Sequence, residues 1–361
     1  YWPRRMPPSA VQPQEPCGSD MTETAASKNT DAALQIGHLA LKGRVIAAPM
    51  AGVSDQPYRT LARHFGAALA VSEMVSASPE LRESRKSRQR TNHDGEAGPV
   101  SVQLLGADPE QMADAARFNI AKGADIIDIN LGCPTKKVCK RLVGSALMRD
   151  ELLVGRILEA VVSASTVPVT LKMRTGWDRQ SKNAPAIAKM AEEAGIQALS
   201  VHGRSRECRY HGPIDYETIA KVKSSVSIPV IANGDIDSPD TALQVLRTTG
   251  ADAVMVGRAA QGQPWLLGRI ANSLDRHRDP GDPVLADKCR TVLDHLEALY
   301  GFYGEGQGVR IARKHVQWYA EKLNAKHLLD RRCSETIDPV AQINWVECFF
   351  ERVAAQEPGH A

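Results

Sequence analysis

The chain has 361 residues, 43% hydrophobic and 24% charged, with a formal net charge of +3. That composition excludes global disorder and suits one large domain plus a smaller one, and the net charge alone demands no polyanionic partner. The seven cysteines are scattered, odd in number and free of CxxC spacing, which argues against a disulfide framework or a structural zinc site and for a reducing, cytoplasmic setting.

Residues 1–35 are rich in Pro, Ser, Thr and Gln and are expected to be a disordered extension. They contain no apolar segment of the kind a secretory signal needs. The chain opens on Tyr1, and Met21 is a candidate start. No apolar run in the sequence reaches membrane-spanning length.

From residue 44 onward, short β-rich runs recur at 44–50, 67–75, 100–106, 126–134, 167–174, 198–204, 228–235 and 253–260. Segments of helical periodicity lie between most of them, at 108–122, 145–165, 184–194 and 239–249. Strands alternating with helices imply a parallel sheet, and near-continuous apolar strands imply burial on both faces. Eight such units over 44–260 predict a TIM (β/α)8 barrel, with a doubly wound open sheet as the alternative. Beyond about residue 272 only helical patterns remain, at 288–300, 309–323 and 344–355. The expected layout is an α/β protein: extension 1–35, barrel 36–273 and a small all-helical domain 274–361.

Polar residues collect at the C-terminal ends of the strands, where barrel active sites are built. Asp128, Asn130 and Cys133 end the fourth strand, Lys172 and Arg174 end the fifth, and His202 and Arg204 end the sixth. Strands seven and eight end in Asn233-Gly234-Asp235 and Gly257-Arg258. Glycine lets backbone N–H groups approach a phosphate closely and Arg258 adds charge, although two ordinary turn glycines would read the same way.

Strand one ends in Pro49-Met50-Ala51-Gly52, small and apolar enough to pack against a flat ring or simply to close the barrel. Gln103 and Lys172 add the polar groups that a flavin ring needs, an amide for its pyrimidine edge and a cation for the edge that becomes negative on reduction. A salt bridge from Lys172 to Asp128 is the other reading of that lysine. Cys133, in Asn130-Leu131-Gly132-Cys133-Pro134, has three readings. It is a protonated thiol acting as a general acid, a thiolate activated by Lys136 and Lys137 with His202 as base, or an inert buried thiol. Cys139 reads as the inert kind.

Basic residues cluster at 82–90, at 136–141 and along the 309–323 helix. There Arg310, Arg313 and Lys314 stand off an apolar stripe of Val309, Ala312, Val316, Tyr319 and Leu323. A solvated face is the plain explanation, and a nucleic-acid backbone the functional one. Gly304-Glu305-Gly306-Gln307-Gly308 imitates a phosphate loop but follows a helical segment, so a linker is expected. The histidines show no metal-ligand spacing.

The segments APMAGVSDQPYR, VSEMVS, VQLLG, DINLGCPTKKV, GSALM, VTLKMRTGW, VHGR, IPVIANGDI, VMVGRAAQGQPW and GVRIARKHVQWY resemble the tRNA-dihydrouridine synthase family, most closely its bacterial B subfamily. The resemblance covers nearly everything from 36 to 352. It implies an FMN-bound barrel with a helical domain that grips tRNA, and NADPH-driven reduction of the C5=C6 bond of particular uridines. It also implies Pro49, Met50, Ala51, Gln103, Lys172 and His202 as flavin contacts, and Asn233, Gly234, Asp235, Gly257 and Arg258 around the phosphate. Cys133 becomes the proton donor, and Asn130, Arg174, Arg310, Arg313 and Lys314 become substrate contacts. The implied protein is a monomer without metal. The extension is no part of the family pattern, and Cys139 stands where a polar residue is expected. Two rival readings are an FMN barrel reducing a free pyrimidine or other small enone, and an RNA chaperone with a vestigial site.

Overall fold

The computed structural model describes residues 34–139 and 142–356. The expected extension 1–35 lies outside the described residues, except that Leu34 and Gln35 open a strand. That strand, β1 (Leu34–Ile36), pairs antiparallel with β2 (Leu39–Leu41). The hairpin was not expected: runs of three residues are too short to show a period.

The parallel strands are β3 (Val45–Ala47), β4 (Leu69–Ala70), β5 (Val75–Ser76), β6 (Ser101–Leu105), β7 (Ile126–Leu131), β8 (Val169–Arg174), β9 (Ala198–His202), β10 (Val230–Asn233) and β11 (Ala253–Val256). They pair in the order β4-β3-β11-β10-β9-β8-β7-β6-β5. A parallel bridge from Val71 to Ser101 joins the two ends. β4 and β5 are thus two halves of the second barrel strand, and the ring has the eight staves predicted. The interruption has a local cause. Ser72 Oγ accepts the Gln103 N–H at 3.1 Å, taking the place of a ladder carbonyl.

Alternation divides the side chains. Inward-facing Ile46, Leu69, Ile126, Ala198, Ile231 and Ala253 form one apolar cluster with Leu34, Ile36 and Leu41 of the hairpin. The hairpin therefore closes the N-terminal end of the barrel. Outward-facing Val45, Val102, Ile127, Leu171, Leu199 and Val254 pack into a second, larger core with the surrounding helices.

Those helices are α1 (Gln56–His64), α2 (Pro79–Arg82), α3 (Arg85–Arg90), α4 (Pro109–Ala121), α5 (Lys136–Cys139), α6 (Glu151–Ala164), α7 (Ala184–Glu193), α8 (Tyr216–Ser225), α9 (Pro239–Thr249) and α10 (Trp265–Arg276). Asp55, Asp108, Asp150, Asp215 and Ser238 cap α1, α4, α6, α8 and α9, each accepting a backbone N–H three residues on and satisfying an otherwise orphaned donor. The helix expected over 145–165 is in fact two pieces. Residues Gly144–Arg149 form a 3-10 turn, and Asp150 stops it by capping α6.

The chain ends in α11 (Leu285–Tyr303), α12 (Glu305–Lys322), α13 (Arg332–Glu335) and α14 (Pro339–Ala354). They share a core that includes Val292, Leu296, Val309, Val316 and Phe349. The stripe read from sequence is present, with Val309, Ala312, Val316 and Tyr319 buried. The expected linker at 304–308 is not: α12 begins at Glu305. Its glycine has a packing reason, because a Cβ on Gly308 would sit 2.7 Å from Tyr300 Cα and 2.8 Å from Leu299 O.

Candidate active site

A chain of buried hydrogen bonds crosses the inside of the barrel mouth. Thr170 Oγ1 donates to Asp128 Oδ1 at 2.6 Å, and Gln103 Nε2 donates to Asp128 Oδ2 at 2.7 Å. Asn130 Nδ2 donates to Gln103 Oε1 at 2.6 Å. Asn130 Oδ1 then accepts the N–H groups of Gly132 and Cys133, both at 3.0 Å. Burial pushes the Asp128 carboxyl above its ordinary value, and the hydrogen bonds from Gln103 and Thr170 oppose that.

The loop carrying Cys133 is held from a second side by Arg174, whose Nε donates to Gly132 O at 2.7 Å. Arg174 Nη1 donates to Ser205 O and Arg209 O, at 3.0 and 2.7 Å. Much of this guanidinium therefore braces two loops. The Cys133 thiol lies 2.7 Å from Thr135 Oγ1 and remains partly exposed. His202 makes no hydrogen bond to it among the described residues, and burial, then Arg174 and Lys172, hold the imidazole well below its ordinary pKa. The nucleophile reading, which needs His202 as base, loses its geometry. Cys139 is buried, its sulfur 3.7 Å from Cys133 O and 3.6 Å from Ser145 Oγ. The side chains of the basic set at 136–141 lie outside the described residues.

Lys172 is 9% exposed, and its Nζ donates to Asn233 Oδ1 at 3.2 Å. The salt bridge to Asp128 that sequence allowed is not formed. Burial, then Arg174, lower the ammonium pKa from 10.5 to about 8. Asn233 also donates to Met255 O, tying β10 to β11. Gly234 needs its φ of +134°, and a Cβ there would meet Ile214 at 2.8 Å and His202 at 3.3 Å. Asp235 is held by both Arg204 nitrogens, at 2.9 and 2.5 Å, and by Arg258 at 3.3 Å. Hydrogen bonding from Arg204 lowers its carboxyl pKa. Tyr210, 47% exposed, lies beside the guanidinium groups of both Arg174 and Arg258.

The mouth thus gathers Lys172, Arg174, Arg204 and Arg258, while Asp235 is the one carboxylate among the described residues that pairs with any of them. Lys172 feels Asp128 only at longer range, and a buried ammonium without an ion-pair partner is costly unless an anion completes the site. The residues fit a ligand with a phosphate at the strand seven and eight end and a ring edge that takes negative charge near Lys172.

Across the mouth, Pro49, Met50 and Ala51 form the strand-one rim. Ser54 Oγ accepts the Met50 N–H at 2.9 Å, and Gln261 Nε2 approaches Met50 Sδ at 3.5 Å. Gly52 is gripped twice. Its N–H reaches Glu73 Oε2 at 2.7 Å, and its carbonyl accepts from Lys314 Nζ of α12. Glu73 also pairs with Arg90 at 3.1 Å. Two basic sets read separately in the sequence therefore line one cleft, of about 670 Å³, between α3 and α12. Arg310 is exposed on α12. Arg313 points elsewhere, donating to Glu335 O and Thr336 O. Glu73, Arg204, Thr135 and Tyr210 were not selected as site residues from sequence. Only the position of Arg204, two residues after His202 on one strand face, signalled it.

Among the described residues no group of three His, Cys, Asp or Glu could hold a metal ion, and no helix is long and apolar enough to cross a membrane. The dihydrouridine synthase (Dus) family profile matches residues 45–354. The chain is 53% identical over 329 residues to tRNA-dihydrouridine synthase B of Xanthomonas axonopodis pv. citri, covering 90% of this chain and 98% of that one. It is 50% identical to the protein of that name from Shewanella oneidensis, over 89% of this chain and 99% of that one. It is 52% identical to the one from Pseudomonas aeruginosa, over 88% and 96%.

Proposed function

The chain belongs to the dihydrouridine synthase family, and we propose that it reduces the C5=C6 bond of specific uridines in tRNA, with FMN as resident cofactor, NADPH as electron donor and Cys133 as proton donor. The observation that carries the residue-level reading is Lys172. It is a buried ammonium that forms no ion pair among the described residues, with Asp128 acting on it only at longer range, one stave from the strand that delivers Cys133.

Arg258, with the backbone around Asn233, Gly234, Asp235 and Gly257, holds the cofactor phosphate. Asp235 contributes through its backbone and by orienting Arg258, since its carboxylate is committed to arginines. Pro49, Met50 and Ala51 pack against the ring. Lys172 faces the ring edge that becomes negative, and Gln103 keeps one amide N–H for the pyrimidine edge after giving the other to Asp128. His202, neutral at pH 7, offers a hydrogen bond from the ring side. When bound, FMN supplies the hydride that reaches C6 of the uracil and is re-reduced by NADPH.

The uridine must leave its stack to enter such a mouth. Its C4 carbonyl makes C6 the electrophilic end, so negative charge develops towards C5. Cys133 Sγ gives the proton there, and Thr135 Oγ1 orients the thiol. Asn130 fixes the loop by its backbone, and the Nη2 of Arg174 remains for the base. The helical tail, 274–361, serves as the tRNA-binding unit to the barrel, 36–273, with Arg310 towards the RNA, Lys314 tying α12 to the Gly52 rim where substrate enters, and Arg313 bracing α13. We place the protein in the cytoplasm as a monomer, a setting its scattered free thiols suit.

The test is direct. The purified protein should show a flavin spectrum and form dihydrouridine in unmodified tRNA with NADPH. A colourless protein overturns the cofactor. A yellow protein active only on free pyrimidines or enones returns the small-molecule reading.

A further inference from the structure

We propose that the cleft between α3 and α12 binds the adenosine end of NADPH, with the 2′-phosphate on Arg85 and Lys86. The inference rests on NADPH being the donor. It adds the place where the donor is recognised and the reason it is preferred to NADH.

The cleft's volume, about 670 Å³, falls in the range of small-ligand sites. Its inner end is the Ala51–Gly52 rim, the edge against which the flavin ring is expected to pack. A donor whose nicotinamide stands over that ring must lead its remaining half outward along an opening from this rim. This cleft begins there.

The charges are graded along its length. At the inner end Arg90 and Lys314 meet two carboxylates: Glu73, paired with Arg90 and with the Gly52 N–H, and the buried Asp55, which attracts Lys314 and accepts from Tyr303. Cations and carboxylates balance there, so the uncompensated positive charge of the cleft lies farther out. At the outer end Arg85 makes a single neutral contact, to Gln307 Oε1 at 2.9 Å. Lys86 has no ion-pair partner among the described residues. Two adjacent uncommitted cations match a phosphate monoester close to two negative charges. NADH lacks that group and would leave both cations unused.

The experiment uses the flavin-loaded full chain. Anaerobic stopped-flow bleaching of the flavin is followed with NADPH and with NADH, for the wild type and for Arg85→Ala/Lys86→Ala. Binding of adenosine 2′,5′-bisphosphate is measured by calorimetry in parallel. The expected result is a wild-type preference for NADPH that falls at least tenfold in the double variant, with tenfold or greater loss of bisphosphate binding and unchanged Tm. A double variant that keeps its preference and its bisphosphate affinity overturns the assignment, and leaves RNA as the cleft's occupant if its tRNA affinity has dropped. A wild-type flavin that NADPH does not bleach overturns the donor reading instead, so the two failures are distinguishable.

Discussion

Asn130 holds Cys133 by its backbone: the Asn130 side-chain oxygen accepts the Cys133 N–H at 3.0 Å, while its amide nitrogen donates to Gln103. The Cys133 loop is thereby hung from strand β7 and from the buried amide network beneath it. Replacing Asn130 by Ala leaves two loop N–H groups and the Gln103 carbonyl without partners. Orphaned buried polar groups cost about 1–3 kcal/mol each, so a lower Tm is expected together with a fall in the uridine half-reaction. Flavin reduction by the donor should change less. Equal losses in both half-reactions would show that Asn130 does more than position the acid.

Cys133→Ala removes the thiol proposed as proton donor while leaving the cations of the mouth in place. Flavin content and tRNA affinity should stay at wild-type levels, and dihydrouridine formation should fall by roughly 10²–10⁴, the usual worth of a positioned acid. Unchanged dihydrouridine formation in this variant would sink the assignment.

Lys172 should make flavin retention depend on pH. Its pKa is lowered to about 8, so the empty site loses this charge as pH rises through about 8, well below the ordinary lysine value of 10.5. Flavin affinity should therefore weaken between pH 7 and 9, and Lys172→Met should bind more weakly with a flatter profile over that interval. Equilibrium dialysis at several pH values checks it, and a Met variant with the wild-type slope contradicts it.

His295 and His315 make the helical unit sensitive to acid. Both are buried, their rings stack edge-to-face at 4.7 Å, and neither Nε2 has a hydrogen-bond partner. Burial lowers the His295 pKa from 6.5 to about 4 and takes His315 well below its ordinary value. The native state thus binds fewer protons than the unfolded one. Stability is fully present above pH 6.5 and declines as pH falls towards 4, by about 3 kcal/mol for a shift of this size at His295 alone. Urea titrations at pH 7 and pH 5 should differ, and His295→Phe should narrow the difference. A pH-independent midpoint would count against it.

Gly308→Ala separates a packed helix from a flexible linker. In an exposed helix Ala gains about 1 kcal/mol over Gly, whereas the added Cβ here meets the Leu299 and Tyr300 backbone at under 3 Å, and overpacking costs about 1–3 kcal/mol. The clash should win and Tm should drop. A rise in Tm would restore the linker.

The barrel was legible because eight apolar runs at even spacing leave few other folds, and because polar residues gathered at one end of those runs. Cys133, Lys172 and the Asn233-Gly234-Asp235 turn stood out for that reason. Other features could not be read because they depend on neighbours distant in sequence. Glu73 belongs to the site through the break in the second stave, which no local pattern announces. Arg174 was expected to meet substrate, yet three of its hydrogen bonds brace loops at Gly132, Ser205 and Arg209. Arg313 sits one residue from Lys314 but turns to the opposite task, since adjacent helical positions point about 100° apart. The glycines at 304–308 looked like a linker because helix propensity is local, whereas the contact that Gly308 permits is with the preceding helix.

The hairpin of β1 and β2 makes the barrel a cup rather than a tube. Its apolar residues cap the inward-facing cluster at the floor, so every reactant shares one entrance and must depart by the way it came. Reactants too large to share that entrance cannot pass through in sequence and have to take turns at the brim.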